Sequence, residues 1–290
     1  MSSALLPWLR LLRVGTLFSP AADVVAGLAI AGLPWSSDAV RACLASVALY
    51  AAGMVLNDHA DRRVDAVQRP ERPIPSGRIR AAQALGLGVA LLATALLLSP
   101  LWPLHAAMGL LVLAYDYANK RSAAFGVLAL GLLRGTNLLS GVVAVSGSLP
   151  DDMALRTAAL AYAAYIAAVT VLGIFEDEPR VAARAVRAVQ TLPPGAALFA
   201  ILSIEGRALG NPGMATLIAA LLALAFLLRL RDRTRVWERG AIRASMTWLL
   251  LGTMLYTALL CLAVGRPIEA LAITTAAFLA RAISRRIALT

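Results

Sequence analysis

The sequence predicts an all-α fold, a polytopic membrane helical bundle of nine or ten transmembrane helices forming a single domain over residues 1–290. Three observations predict it. The chain is 60% hydrophobic and 15% charged, with a mean hydropathy of +0.77, well beyond the usage of soluble domains. Its apolar residues fall into ten runs separated by short polar, Pro- or Gly-bearing breaks. Counting along those runs sorts the basic residues onto alternate ends: 22 of the 27 Lys and Arg gather on one side. Arg41, Arg156, Arg207 and Arg266 take the other side, and Arg134 falls inside a run. A miscounted helix would scramble that parity. By the positive-inside rule the richer side is cytoplasmic, together with both termini, as in a bacterial inner (plasma) membrane. The cations sit in short stretches between spans rather than in one patch, which argues for the lipid bilayer and against nucleic acid as a partner.

The runs justify themselves in order. Val14–Leu33 follows Arg10 and Arg13, ends at Pro34 and lacks a small-residue cleavage pattern, so it reads as a span and not a removed signal peptide. It carries Asp23, a carboxylate that needs a partner in hydrocarbon. Ala39–Asn57 leads directly into the stretch N-D-H-A-D-R-R-V-D. Ala81–Ser99 and Trp102–Ala118 are divided by Ser99-Pro100 and Trp102-Pro103. Ala123–Val145 contains Arg134 and stops before Gly147 to Pro150. Ala154–Phe175 is rich in Ala, which lets backbones approach where lipid gives no hydrophobic drive. Pro193-Pro194 marks a turn or start for Val189–Ile204, Asn211-Pro212-Gly213 introduces Met214–Leu228, and Gly265 to Pro267 separates Ala244–Gly265 from Ile268–Ala280. The fourth, seventh, eighth and tenth runs are short for the roughly 20 residues a span needs, which makes nine spans as defensible as ten. Cys43 and Cys261 lie within apolar runs without metal spacing and read as packing residues. His59 and His105 are too isolated to form a metal pair.

Chemistry concentrates at the end of the second run. Asp58, Asp61 and Asp65 are spaced i, i+3 and i+7, which places them on one face of a helix with Asn57 beside them. Hard cations such as Mg²⁺ take oxygen ligands and are commonly shared between one or two carboxylates and substrate phosphates. The helix end therefore reads as a landing site for Mg²⁺ and a diphosphate. The loop that follows holds three prolines and the guanidiniums of Arg69, Arg72 and Arg78, whose forked donors match phosphate oxygens. Arg134 is costly inside hydrocarbon and is expected to face the bundle interior, paired with Asp116, Asp23, a carbonyl or substrate.

N-D-x-x-D-x-x-x-D followed by R-P-x-R-P-I-P-S-G resembles the first signature of the UbiA superfamily of intramembrane prenyltransferases. Two more segments are similar to that family in order: Tyr115 to Arg121, and Arg134 to Asn137 with Gly141. The resemblance implies a prenyl diphosphate held by Mg²⁺, loss of diphosphate, and transfer of the prenyl group to a lipophilic or aromatic acceptor. It implies Mg²⁺ ligation by Asp58, Asp61 and Asp65 with help from Asn57, and diphosphate contacts from Arg72 and Lys120. Arg69, Tyr115, Asp116, Arg134 and Asn137 are the further substrate-binding positions it points to. The family's second acidic signature is replaced by Phe175-Glu176-Asp177-Glu178-Pro179. Adjacent acids point about 100° apart on a helix, so Glu176 as a metal ligand and Asp177 as a substrate contact stand beside a solvated acidic loop as alternatives. This departure resembles a divergent branch that includes EboC-like proteins. It leaves open a carrier of a lipophilic metabolite and a cyclase that closes the prenyl chain without an acceptor.

Overall fold

Apolar runs with short polar breaks fold most directly by packing each helix against its successor, and the chain does so. The computed structural model describes residues 5–118, 122–209, 213–229 and 235–289. A six-residue helix α1 (Leu6–Leu11) and a 3-10 turn (Val14–Thr16) lead into α2 (Phe18–Ile30) and the long α3 (Ser37–Gln68). Then come α4 (Ala81–Leu98), α5 (Trp102–Leu113) with a π-helical turn at Ala114–Ala118, α6 (Ala123–Ser146) and α7 (Met153–Asp177). The chain closes with α8 (Ala183–Leu209), α9 (Met214–Arg229), α10 (Arg239–Ala263) and α11 (Pro267–Leu289). Helices α2 to α11 follow the ten apolar runs in order. Among the described residues seven helices are long and apolar enough to cross a membrane, whereas α2, α5 and α9 span only 13, 12 and 16 residues.

Helix ends are set by local chemistry. The Ser36 and Ser122 hydroxyls and the Asp152 carboxylate accept from the first free N–H groups of α3, α6 and α7. Glu205, buried near the end of α8, turns its carboxylate onto the α9 N-terminus and accepts from the N–H groups of Ala215 and Thr216 at 3.1 and 2.7 Å. Gly147 ends α6 at φ +77°, a conformation costly for side-chain-bearing residues.

Two boundaries differ from the sequence reading. Helix α8 begins at Ala183 and runs through Pro193 and Pro194 instead of starting near them. Prolines carry no N–H, so the carbonyls of Val189 and Gln190 lose their helical donors, yet the flanking turns pack well enough to keep the rod intact. Helix α11 likewise extends beyond Ala280 through its Arg-bearing end. A further departure from pure helix is a two-stranded antiparallel ladder, β1 (Arg180–Ala182) with β2 (Val236–Glu238), pairing Arg180 with Glu238 and Ala182 with Val236.

Packing joins α3 to α4, α6 to α7, α7 to α8 and α10 to α11, while α2 lies against α3, α6 and α10. The main core runs between α2, α6, α7, α8, α10 and α11. Tyr162, Tyr165 and Tyr256 meet at its centre, with the Tyr165 and Tyr256 rings stacked at 6.1 Å. Their hydroxyls are occupied: Tyr165 donates to the Leu249 carbonyl and Tyr256 to that of Ala158. Arg10 donates twice to the Ile287 carbonyl, tying the first helix to the last.

Glycines set the closest approaches. A Cβ on Gly27 would stand 1.9 Å from the Leu138 carbonyl oxygen, and one on Gly135 would stand 2.9 Å from that of Ala159. The α2–α6 and α6–α7 contacts therefore require hydrogen at those positions. Gly27→Leu is expected to lower stability in detergent by about 1–3 kcal/mol through overpacking. Gly86→Leu, where no atom lies within 4 Å, is the control that should leave the unfolding midpoint unchanged. Equal midpoints for both variants would contradict this packing.

Candidate functional site

The apolar second run does not end its helix at Asn57; α3 continues as far as Gln68, so the whole acidic stretch is helical as its spacing requires. Asp58 and Asp65 turn inward and are buried, and Asp61 is partly covered. Buried carboxylates need cations or donors, and two arginines supply them. Arg72 Nη1 lies 2.6 Å from Asp65 Oδ2 and 3.4 Å from Asp58 Oδ1. Arg13 Nη2 lies 2.9 Å from the same Asp58 oxygen.

Arg72 is held in place by its loop. Ile74 and Ile79 bury themselves against Leu11, Val55 and Ala84, anchoring the proline-framed segment to α1, α3 and α4. The turn closes with Ser76 N–H to the Arg72 carbonyl and Ile79 N–H to the Pro73 carbonyl, and Gly77 takes φ +73° at its tip. Arg13 was visible in the sequence only as a topology charge. Its second role is marked by its backbone: it has φ +47°, and among the described residues it is the non-glycine with positive φ. That conformation costs about 1 kcal/mol and aims its guanidinium at α3.

Around this centre the structure adds a second layer. Asn57 Nδ2 donates to Asp116 Oδ1 at 3.0 Å, joining α3 to the π-helical turn. The expected pairing of Asp116 with Arg134 does not form. Tyr115, from the same turn, lies within electrostatic range of Asp61. His59 Nδ1 contacts the Tyr117 hydroxyl at 2.9 Å. Such π-turns recur at functional sites because they rotate side chains off the regular helical face. Lys120 lies outside the described residues.

The second acidic stretch is divided rather than convergent. Helix α7 continues through Asp177 despite Pro179, and its two acids point apart. Glu176 pairs with Arg243 at 2.8 Å, whereas Asp177, 69% exposed at its side chain, faces Arg69 at 3.8 Å. Arg239 donates to the carbonyls of Glu176 and Asp177, satisfying the end of α7. With the β1–β2 ladder alongside, the α7–α8 connection and the start of α10 form one strap, and Arg69 links it to the loop that carries Arg72.

Arg134 and Asn137 meet elsewhere, deep among α2, α3, α6 and α7. Arg134 makes a paired contact with Asp23, Nη1 to Oδ2 at 3.1 Å and Nη2 to Oδ1 at 3.2 Å, and also reaches the hydroxyls of Ser19 and Tyr162. Tyr162 donates to Asp23 Oδ1 at 2.8 Å. Asn137 donates to Asp23 Oδ2 and to the Pro20 carbonyl, and accepts from Ser46. Arg134 also lies over the Tyr50 and Tyr162 rings.

Among the described residues no three acidic or metal-ligating side chains converge as a finished cage. The donor chemistry nevertheless suits a hard divalent cation. Asp58 and Asp65 already share one cationic nitrogen of Arg72, so both carboxylates can address a single positive centre.

An all-helical bundle that gathers carboxylates and guanidiniums at one end of a long apolar helix defines a class of integral membrane protein. The chain belongs to the UbiA prenyltransferase family, whose sequence model matches residues 20–289. It is 36% identical over 151 residues to a digeranylgeranylglyceryl phosphate synthase of Ignicoccus hospitalis, covering 50% of this chain and 49% of that one. The enzyme of the same name from Thermococcus kodakarensis is 30% identical over 229 residues, covering 71% and 80%. The matched part thus spans about half the length of the Ignicoccus relative. Among solved structures, a digeranylgeranylglyceryl phosphate synthase superposes with a TM-score of 0.60 at 20% identity over 92% of this chain and 98% of the other. A UbiA homologue from Archaeoglobus fulgidus bound to GPP and Mg²⁺ gives 0.61 at 16% identity over 93% and 99%. These likenesses establish the fold.

The Asp23–Arg134 pair yields a test. Asp23→Ala leaves a buried guanidinium without its counter-ion and is expected to cost about 3–5 kcal/mol, while Asp23→Leu combined with Arg134→Met should cost less than the single change. Chemical denaturation in detergent checks this, and a double variant less stable than Asp23→Ala would refute the coupling.

Proposed function

We propose that this protein transfers a prenyl group from a prenyl diphosphate to a lipophilic acceptor at the cytoplasmic end of α3. The observation that carries this reading is the convergence of Arg13 and Arg72 on Asp58 and Asp65, which brings together the groups that bind a divalent ion and those that bind diphosphate. Asp58, Asp61 and Asp65, with Asn57, would hold Mg²⁺, which when bound supplies Lewis-acid stabilisation of the departing diphosphate. Arg72 and Arg13, relieved of the carboxylates, turn their N–H forks to phosphate oxygens. Arg69 adds a third guanidinium, released from its exposed partner Asp177. Lys120 supplies a further cation from beyond the π-turn. Breaking the carbon–oxygen bond to diphosphate leaves an allylic cation, which the acceptor's nucleophilic oxygen attacks as its proton departs. Asp116 and Tyr115 border this space, and Arg134 with Asn137 sets the helices that flank the prenyl chain.

The relatives' names favour a glyceryl phosphate lipid as acceptor over an aromatic one. They lend no support to the divergent EboC-like placement. They come from archaea, and charge asymmetry supports a cytoplasmic placement of the acidic end of α3.

Purified protein supplied with labelled geranylgeranyl diphosphate, Mg²⁺ and glyceryl phosphate lipids is expected to move label into lipid and release diphosphate. Asp61→Ala should reduce this by roughly 100-fold or more, the scale on which a lost transition-state stabiliser acts, and chelation should abolish it. Label bound but never transferred would instead identify a carrier, and label released as a cyclic hydrocarbon a cyclase. Turnover unchanged in Asp61→Ala would overturn the assignment of the site.

A further inference from the structure

On the lipid-facing side, three neighbouring helices bring one residue each to a common point. Helix α10 packs between α9 and α11, and its Trp248 is 40% exposed. From one flank the last residue of α9, Arg229, places its guanidinium carbon 5.3 Å from the Trp248 ring centroid; from the other, Arg281 of α11 places its own at 4.6 Å. Two like charges are thus gathered against one indole, and no described carboxylate pairs with either. Bringing cations together beside low-dielectric surroundings is unfavourable unless an anion joins them. Both guanidiniums lie over the ring within cation–π range, and their several N–H donors suit an acceptor with several oxygens.

The position says what that anion belongs to. Arg229 begins one of the two six-arginine stretches on the side expected to be cytoplasmic, and Arg281 is followed by Arg285 and Arg286, so the cluster marks the cytoplasmic interface, where Trp and Arg are the usual anchors. One turn toward the membrane interior from Arg281 on the same helix, Phe278 is 69% exposed. A cationic rim over an apolar surface fits a phosphate head group with its acyl chains below.

We propose that Arg229, Trp248 and Arg281 form a binding site for the phosphate of an anionic membrane lipid in the cytoplasmic leaflet, separate from the acidic centre on α3. The site selects phosphatidylglycerol-type lipids over zwitterionic ones, because two guanidiniums meet a head group with no compensating ammonium. Neither arginine belongs to the transfer machinery described above.

Native mass spectrometry of the full chain in detergent, titrated with phosphatidylglycerol or phosphatidylcholine, tests the site. Wild-type protein is expected to retain phosphatidylglycerol preferentially, and Arg229→Gln with Arg281→Gln should weaken that retention by roughly 30-fold, the combined attraction of two basic residues at an anionic surface. Trp248→Leu, which keeps both charges but removes the platform, should weaken it to a lesser degree while circular dichroism remains that of the folded protein. Equal retention of the two lipids by wild type, or unchanged retention by the double variant, would overturn the proposal. Displacement of the lipid by millimolar inorganic phosphate would overturn its assignment to a lipid.

Discussion

The arrangement depends first on one ion pair in the interior of the bundle. Asp23 and Arg134 meet among hydrocarbon-facing helices, where an isolated charge of either sign is prohibitive. They are tolerated because each is surrounded by further polar partners: Asn137 and Tyr162 complete the carboxylate, and Ser19 and Tyr162 complete the guanidinium. Ser46, bonded to Asn137 and to the Pro20 carbonyl, extends the network onto α3. Helices α2, α3, α6 and α7 are thereby fixed in rotation and height relative to each other. Lipid offers no hydrophobic drive that could impose such a register. The acidic end of α3 begins about 18 Å further along the same rod, so its facing is set by contacts made well inside the membrane.

At the acidic end of α3, charge balance takes over from register. Three aspartates project from one helix, and the fold meets two of them, Asp58 and Asp65, with arginines delivered by unrelated parts of the chain, one from the α1 junction and one from a loop nailed down by Ile74 and Ile79. These partners stabilise the carboxylates without using up the chemistry of the site, since a guanidinium that satisfies a carboxylate in one state can address a phosphate in another. The strap behind α7 follows the same logic at the surface. Arg239 and Arg243 occupy the carbonyls and the Glu176 carboxylate, and Arg69 reaches across to Asp177. Exposed pairs of this kind hold weakly, so this contact orients the two segments without locking them.

Much of this was legible in the residues. Hydrophobic runs located the helices of a nine- or ten-span bundle, and the i, i+3, i+7 spacing placed the aspartates on one face because a helical period leaves no other solution. Arg134 was expected to seek an internal partner and found Asp23, one of those foreseen. What escaped was whatever needs distant segments to meet. Arg13 looked like a topology signal because nothing local distinguishes it from Arg10; only the folded α1 junction turns it toward Asp58. The π-turn that reorients Tyr115 and Asp116 has no reliable local pattern. The prolines of α8 carried a correct local signal that tertiary packing overrode, and the β1–β2 ladder is too short for alternation to reveal.

Those two prolines have a mechanical corollary. A helical rod resists bending through its ladder of backbone bonds, and α8 lacks two successive rungs where Val189 and Gln190 find no N–H opposite them. Its first segment continues from strand β1 and is braced to α10 by Gln190, whose amide donates to Ser245, while its second segment carries the Glu205 carboxylate that caps α9. Compliance is therefore concentrated at a single joint between two anchored halves. Tilting of the strap can be absorbed there, leaving the Glu205 contact with the α9 N-terminus undisturbed.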